Sequence, residues 1–140
     1  MTAWEKHGSF RYYREADLVF IELHGVFSLD DALHMYELCE TVSQQHGYYL
    51  TVFDARNATG ITAAARRHIA KRARGPSLLG VSAIIGANFL IRTVVQLIRN
   101  AMHLFGAPLT PVLFCATEEE AMRWLATQRL HMQPLRQPAS

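Results

Sequence analysis

Asp54 is the residue whose neighbours best equip it for chemistry. It ends an apolar run, Leu50-Thr51-Val52-Phe53, and is followed by Arg56 and by the pair Thr59-Gly60. Thr62 then opens a segment that carries Arg66, Arg67, Lys71, Arg72 and Arg74. A carboxylate at a strand end, hydroxyls in the next loop and cations in the following helix can bind an anion or accept a phosphoryl group. A phosphate on Thr62 would meet the backbone N–H groups at a helix N-terminus, with Arg66 one turn further in. The same residues also have purely structural roles. Asp54 can accept loop N–H bonds or pair with Arg56. Thr62 can cap the helix, and Thr59-Gly60 can form a turn. General acid–base catalysis needs a positioned second group, and no other carboxylate or histidine is fixed near Asp54 in sequence. We therefore read Asp54, Arg56, Thr59, Gly60, Thr62, Arg66 and Arg92 as a binding edge, with Thr59 and Thr62 as candidate phosphorylation sites and no catalytic residue.

Other chemistries lack their spacing. The seven histidines form no His-x-x-x-His pair, and Cys39 and Cys115 stand far apart, so no metal site is expected. Gly86-Ala87-Asn88 is too short for a phosphate-cradling loop, and there is no Gly-x-Ser-x-Gly elbow. No cofactor is expected. Arg67, Lys71 and Arg74 share a helix face, and Ala63, Ala64, Ala65, Ile69, Ala70 and Ala73 give the helix a small-residue packing face. A solvated charged face explains them first, then an acidic protein partner or an anionic lipid headgroup. A nucleic-acid helix would bring polar base readers and more than the net charge of +2, so no nucleic acid is expected.

These residues need elements to hold them. Residues 10–13 and 18–24 pattern as strands joined by the polar turn Arg14-Glu15-Ala16-Asp17, a hairpin that Gly25 ends. Ser28, with Asp31 three residues on, opens a helix that Gly47 stops. Residues 48–53 read as a central strand, and the chain from Ala55 to Ile61 as a loop. Thr62 caps a helix over 63–74 that Gly75-Pro76 ends. Residues 79–85 form another buried strand. Asn88 caps a helix over 89–105, and Gly106-Ala107-Pro108 stops it. Residues 111–116 form the last strand, and Thr117 caps a helix that runs to about Leu130. The order β-β-α-β-α-β-α-β-α predicts an α/β fold, with a mixed sheet and about four covering helices.

The helix over 89–105 is the strongest interaction signal. Ile91, Val95, Ile98, Met102 and Phe105 form one apolar stripe, and Leu90, Val94, Leu97, Ala101 and Leu104 an adjacent one. Covering one sheet face needs an arc only ~100° wide. The excess must meet neighbouring helices, a second subunit or a hydrophobic ligand. The first stripe is read as a dimer or partner surface. The alternative is a small-ligand binder, with an apolar or anionic lipid-like molecule in a pocket beneath this helix and a basic mouth of Arg56, Arg92 and Arg99.

A chain of 140 residues that is 50% apolar and 19% charged is long enough for one domain with a real core. The domain is placed at residues 8–131, with 132–140 as a flexible tail. Two cysteines in apolar surroundings, and no signal-peptide pattern in the first six residues, predict a reduced cytoplasmic protein with two buried thiols. The apolar stretch 78–98 is broken by Gly80, Gly86, Asn88 and Arg92, so it reads as strand then helix and not as a membrane span.

The strand Tyr49-Leu50-Thr51-Val52-Phe53-Asp54, the Thr59-Gly60 pair, Gly86-Ala87-Asn88 before the long helix, and Val112-Leu113-Phe114-Cys115 followed by Thr117-Glu118-Glu119-Glu120-Ala121 together resemble the STAS domain. The likeness is to its SpoIIAA-like branch of stand-alone bacterial proteins and spans residues 10–130. In signalling members of that family a Ser or Thr at the start of the helix after this strand is phosphorylated by a partner kinase, usually within Asp-Ser-Ser-Gly. This chain departs from that pattern. Aligned by the glycine, the acceptor is Thr59; aligned by the helix start, it is Thr62. The resemblance implies a non-enzymatic regulatory protein-interaction module, anti-sigma-antagonist-like, whose partner is a sigma-factor regulator or its kinase.

Overall fold

The computed structural model describes residues 3–72, 79–104 and 111–133. Its elements are β1 (Glu5–His7), β2 (Phe10–Glu15), β3 (Leu18–Phe27), α1 (Leu29–His46), β4 (Tyr49–Ile61), α2 (Ala63–Arg72), β5 (Gly80–Ile85), α3 (Phe89–Leu104), β6 (Val112–Cys115) and α4 (Glu118–Met132). The six strands form one sheet in chain order, β1 to β6. β1, β2 and β3 pair antiparallel, and β3 through β6 pair parallel. The predicted mixed sheet with four covering helices is thus the fold. The expected stops at Gly75-Pro76 and Gly106-Ala107-Pro108, with Arg74, Phe105 and the tail from 134, lie outside the described residues.

Each crossover helix begins where its cap is. Ser28 and Asp31 make a reciprocal capping box, and Gly47 ends α1 at φ 82°. Thr62 Oγ1 accepts the Ala65 N–H at 3.1 Å, Asn88 Oδ1 accepts Ile91 N–H at 2.9 Å, and Thr117 Oγ1 accepts Glu120 N–H at 3.2 Å. Each bond satisfies a donor that the first turn leaves unpaired.

Alternation along the strands sends side chains to two cores. Leu18, Phe20, Leu50, Val52, Val81, Ala83 and Ile85 meet Ala121, Leu125 and Met132 of α4 on one face. Val19 and Ile21 meet Ala32, Met35, Cys39 and Val42 of α1 and Ala65 of α2 on the other, where Ile84 also meets Ile91 of α3. Cys39 is buried as expected, whereas Cys115 is partly exposed on the edge strand.

Three elements differ from the sequence expectation. Glu5–His7 adds a short first strand that pairs with β2. β3 does not end at Gly25 but runs through it to Phe27. The segment Ala55 to Ile61 is not a loop, because β4 continues beside β3 to its end. Register shifts between Glu22 and His24 and between Gly25 and Val26 absorb one extra residue of β4 each time. They are β-bulges. Tertiary pairing here overrides the poor strand propensity of Ala, Asn and Gly.

Candidate functional site: an apolar cavity beneath α3

The bulged end of β4 shapes an apolar cavity. It encloses about 200 Å³ between β3–β6 and the inner sides of α1, α2 and α3. Its floor includes Ala55, Ala58 and Gly60, three small residues on one strand, and a Cβ built on Gly60 would meet nothing within 4 Å. α3 roofs it with Ile91, Val95, Ile98 and Met102, α1 contributes Met35, Tyr36 and Cys39, and α2 contributes Ile69. Interiors pack to crystal-like density, so space of this size beside a core is a feature to explain.

The thiol and phenols of the walls are uncharged at neutral pH. Burial pushes the Cys39 thiol and the Tyr36 phenol each up to about 12, and it pushes the Tyr49 phenol upward more strongly still. Thr51 Oγ1 and Ser82 Oγ lie 2.6 Å apart on the sheet and satisfy each other. Arg99 of α3 is the charged side chain among the described lining residues. Arg72 lies outside, over the Tyr36 ring at 4.7 Å and paired with Glu40.

The predicted binding edge does not form one site. Asp54 lies on the α4 side of the sheet, with Arg56, Glu22 and Glu118 in a shallow hollow walled by Trp4, Tyr13 and Phe20. Arg56 donates to the Asp54 carboxylate through Nε at 2.9 Å and Nη2 at 2.6 Å, and through its backbone N–H at 3.2 Å. That guanidinium holds the Asp54 carboxyl below the usual carboxylate range, against the opposing effect of burial. Beside it, Arg11 and His24 hold Glu22, at 3.0 and 2.7 Å.

Thr59, Gly60, Thr62 and Arg66 lie elsewhere because β4 runs on. Seven residues of strand at ~3.3 Å each carry Ile61, the residue before Thr62, roughly 23 Å beyond Asp54. Thr59 is exposed beside Gly60, Thr62 caps α2, and Arg66 is exposed on α2. Arg92 sits over the Phe114 ring at 5.0 Å, on the β6 side.

The apolar stripe read as a partner surface is turned inward. Ile91 and Ile98 are 3% and 7% exposed, and Val95 and Met102 line the cavity. In the adjacent row Leu90, Leu97 and Leu104 face solvent, at 55%, 59% and 84%, whereas Val94 is buried at 6%. The two rows are about one residue apart on the wheel, so periodicity alone could not say which meets the sheet. Sequence reading also missed Ala55, Ala58, Thr51 and Ser82 as cavity residues. The signal for the first two was a run of small residues after a strong strand.

No protein-family model matches the chain. No curated protein matches it in sequence. Among solved structures it is similar to the anti-sigma factor antagonist SpoIIAA in its unphosphorylated form, with a TM-score of 0.54 and 15% identity over 90% of this chain and 98% of that one. It is also similar to an uncharacterized protein of the DUF3478 family from Shewanella loihica PV-4, described as having a SpoIIAA-like fold, with a TM-score of 0.50 and 18% identity over 89% and 92% of the two chains. The chain therefore has the SpoIIAA-like fold, as its strand, loop and helix motifs implied.

Proposed function

We propose that this protein is a non-enzymatic regulatory module that works by binding, and that a small apolar molecule held beneath α3 is its ligand. The cavity is the observation that carries this reading: apolar, partly open, floored by small residues and, among the described residues, lined by one cation, Arg99. Ligand sites are concave and mostly apolar, with a few polar groups to set orientation. An apolar cavity of about 150 Å³ holds a benzene ring, so this one suits a single ring or a short acyl chain, with an anionic or hydrogen-bonding end at Arg99. A long lipid would have to leave its remainder outside. Asp54 fits a structural role in this reading, since Arg56 pairs with its carboxylate and lowers its pKa. Native mass spectrometry, followed by the same sample denatured, tests the reading. A small adduct lost on denaturation supports it. A clean mass, with no saturable uptake of an apolar fluorophore, overturns it.

A second reading rests on a different observation. Thr62 is partly exposed at the N-terminus of α2, with Arg66 one turn on, and one protein of similar fold is an anti-sigma factor antagonist. A phosphate on Thr62 or Thr59 would then switch a contact with a regulator or kinase. Incubating the chain with kinases encoded beside it and mapping the modified residue tests this; phosphate on neither threonine sinks it.

A further inference from the structure

Between Asp54 and Glu118 the chain contains no carboxylate, yet more than half of its 14 Lys and Arg residues fall there. That interval supplies α2 and α3, which pack against each other over one face of the sheet. α2 exposes Arg66, Arg67 and Lys71, and α3 exposes Arg92 and His103. On α3 the same surface carries Phe89, Leu90, Leu97 and Leu104, at 86%, 55%, 59% and 84% exposure. At ~100° per residue these four side chains share one arc of roughly 100° on the solvent half, with Arg92, Gln96 and His103 in the arc beside it.

We propose that the α2–α3 face docks on an anionic bilayer surface, with α3 lying in the interface plane and its Leu90–Leu97–Leu104 row among the acyl chains. A helix with exposed leucines along one arc, Arg92 beside them and no acid suits that boundary, and the neighbouring α2 adds further cations. The basic residues of α2 would lie over the headgroups, where each cation strengthens attachment. A second copy is the wrong occupant, because a two-fold interface brings identical cationic surfaces together. Leucines at every second turn run the length of the helix, about 21 Å from Leu90 to Leu104, and present a flat strip rather than a knob for a pocket. The attachment is peripheral, since no helix among the described residues is long and apolar enough to cross a membrane. This surface lies outside the cavity, so vesicle binding and ligand uptake succeed or fail separately.

Flotation of the full chain with phosphatidylcholine vesicles, with and without phosphatidylglycerol, tests the proposal. The chain should float with anionic vesicles at low salt, and added salt should release it. Arg66→Gln with Lys71→Gln should lower the partition coefficient roughly 25-fold, at about fivefold per charge. Leu97→Gln with Leu104→Gln should abolish flotation without lowering the melting temperature, because both side chains are exposed. No flotation with anionic vesicles at low salt overturns the proposal. So does equal binding to phosphatidylcholine alone, or a dimer in solution that the leucine substitutions dissolve.

Discussion

The Asp17 carboxylate is gripped by Arg129 across 112 residues of chain, with Nε donating at 2.7 Å and Nη2 at 2.9 Å. Tyr48 donates its hydroxyl to the same carboxylate at 2.5 Å, and the Asp17 carbonyl accepts the Leu50 N–H at 2.9 Å. One residue of the β2–β3 turn thus ties the last turn of α4 to the start of β4. Asp17→Asn replaces an acceptor by an amide whose NH₂ faces two donors. Breaking one side of a buried pair costs up to 3–5 kcal/mol. Arg129 is 36% exposed here, so we expect roughly 2–3 kcal/mol after solvent screening. A lower urea midpoint with an unchanged slope is the expected result; an unchanged midpoint refutes it.

The same pair predicts an acid limb. Burial alone would raise the Asp17 carboxyl, but hydrogen bonds from Arg129 and Tyr48 outweigh it and hold the group below its ordinary range. A folded-state value below the unfolded one stabilises fully above about pH 4 and is lost as pH falls through the folded value. Urea midpoints should therefore drop as the pH falls below about 4 in the native sequence. Asp17→Asn should drop less steeply over that range. Parallel curves for the two proteins would remove Asp17 from the acid response.

Gly86 and Arg56 are coupled in a way that a single substitution exposes. Gly86 has φ 65°, and a Cβ there would stand 2.3 Å from Arg56 Cγ. Gly86→Ala should cost roughly 2 kcal/mol, from left-handed backbone strain and from displacing Arg56. Because Arg56 is the main cause of the low Asp54 carboxyl, that carboxyl should also titrate closer to the ordinary range. NMR titration of the Asp54 carboxyl carbon reads this directly. Arg56→Ala should give the same titration shift without the strain. An unmoved Asp54 in both variants would assign its state to backbone bonds instead.

How much of this was readable from sequence depends on where local and tertiary signals agree. Ser28, Gly47, Asn88 and Thr117 mark helix ends through bonds that reach only a few residues, so the caps were visible. The strand with Leu50 and Val52 was visible because both its faces are buried. The continuation of β4 through Asn57 and Gly60 was not, because only its pairing with β3 makes it a strand. That one extension separates Asp54 from Thr62 and divides the expected edge into two places. The long helix was placed correctly, but its two apolar rows could be told apart only against the sheet.

Cys39 and Cys115 should separate by reactivity. The thiolate is the nucleophile, and burial pushes the Cys39 thiol up to about 12 while the residue stays 2% exposed. Cys115 is raised less and lies partly exposed on β6. Iodoacetamide at neutral pH should therefore modify Cys115 first and Cys39 only on unfolding. Cys39 lines the cavity, so labelling of Cys39 in the native state would instead mean that small apolar molecules and water reach it freely.

Filling the cavity is the sharpest stability experiment. Ala58 is 6% exposed and lies on the cavity floor, so Ala58→Leu adds apolar volume where space exists. In a filled core such a change costs about 1–3 kcal/mol through overpacking. Here it should be neutral or raise the melting temperature, by burying about three more methyl or methylene groups at ~0.8 kcal/mol each, less the strain of repacking. Ile98→Ala, on the roof, should do the opposite and cost about 2–4 kcal/mol by enlarging the void. The two variants should also move uptake of an apolar fluorophore in opposite directions, down for Ala58→Leu and up in capacity for Ile98→Ala. A destabilised Ala58→Leu with unchanged uptake would show that the space beneath α3 closes in solution, and the ligand would then have to bind elsewhere.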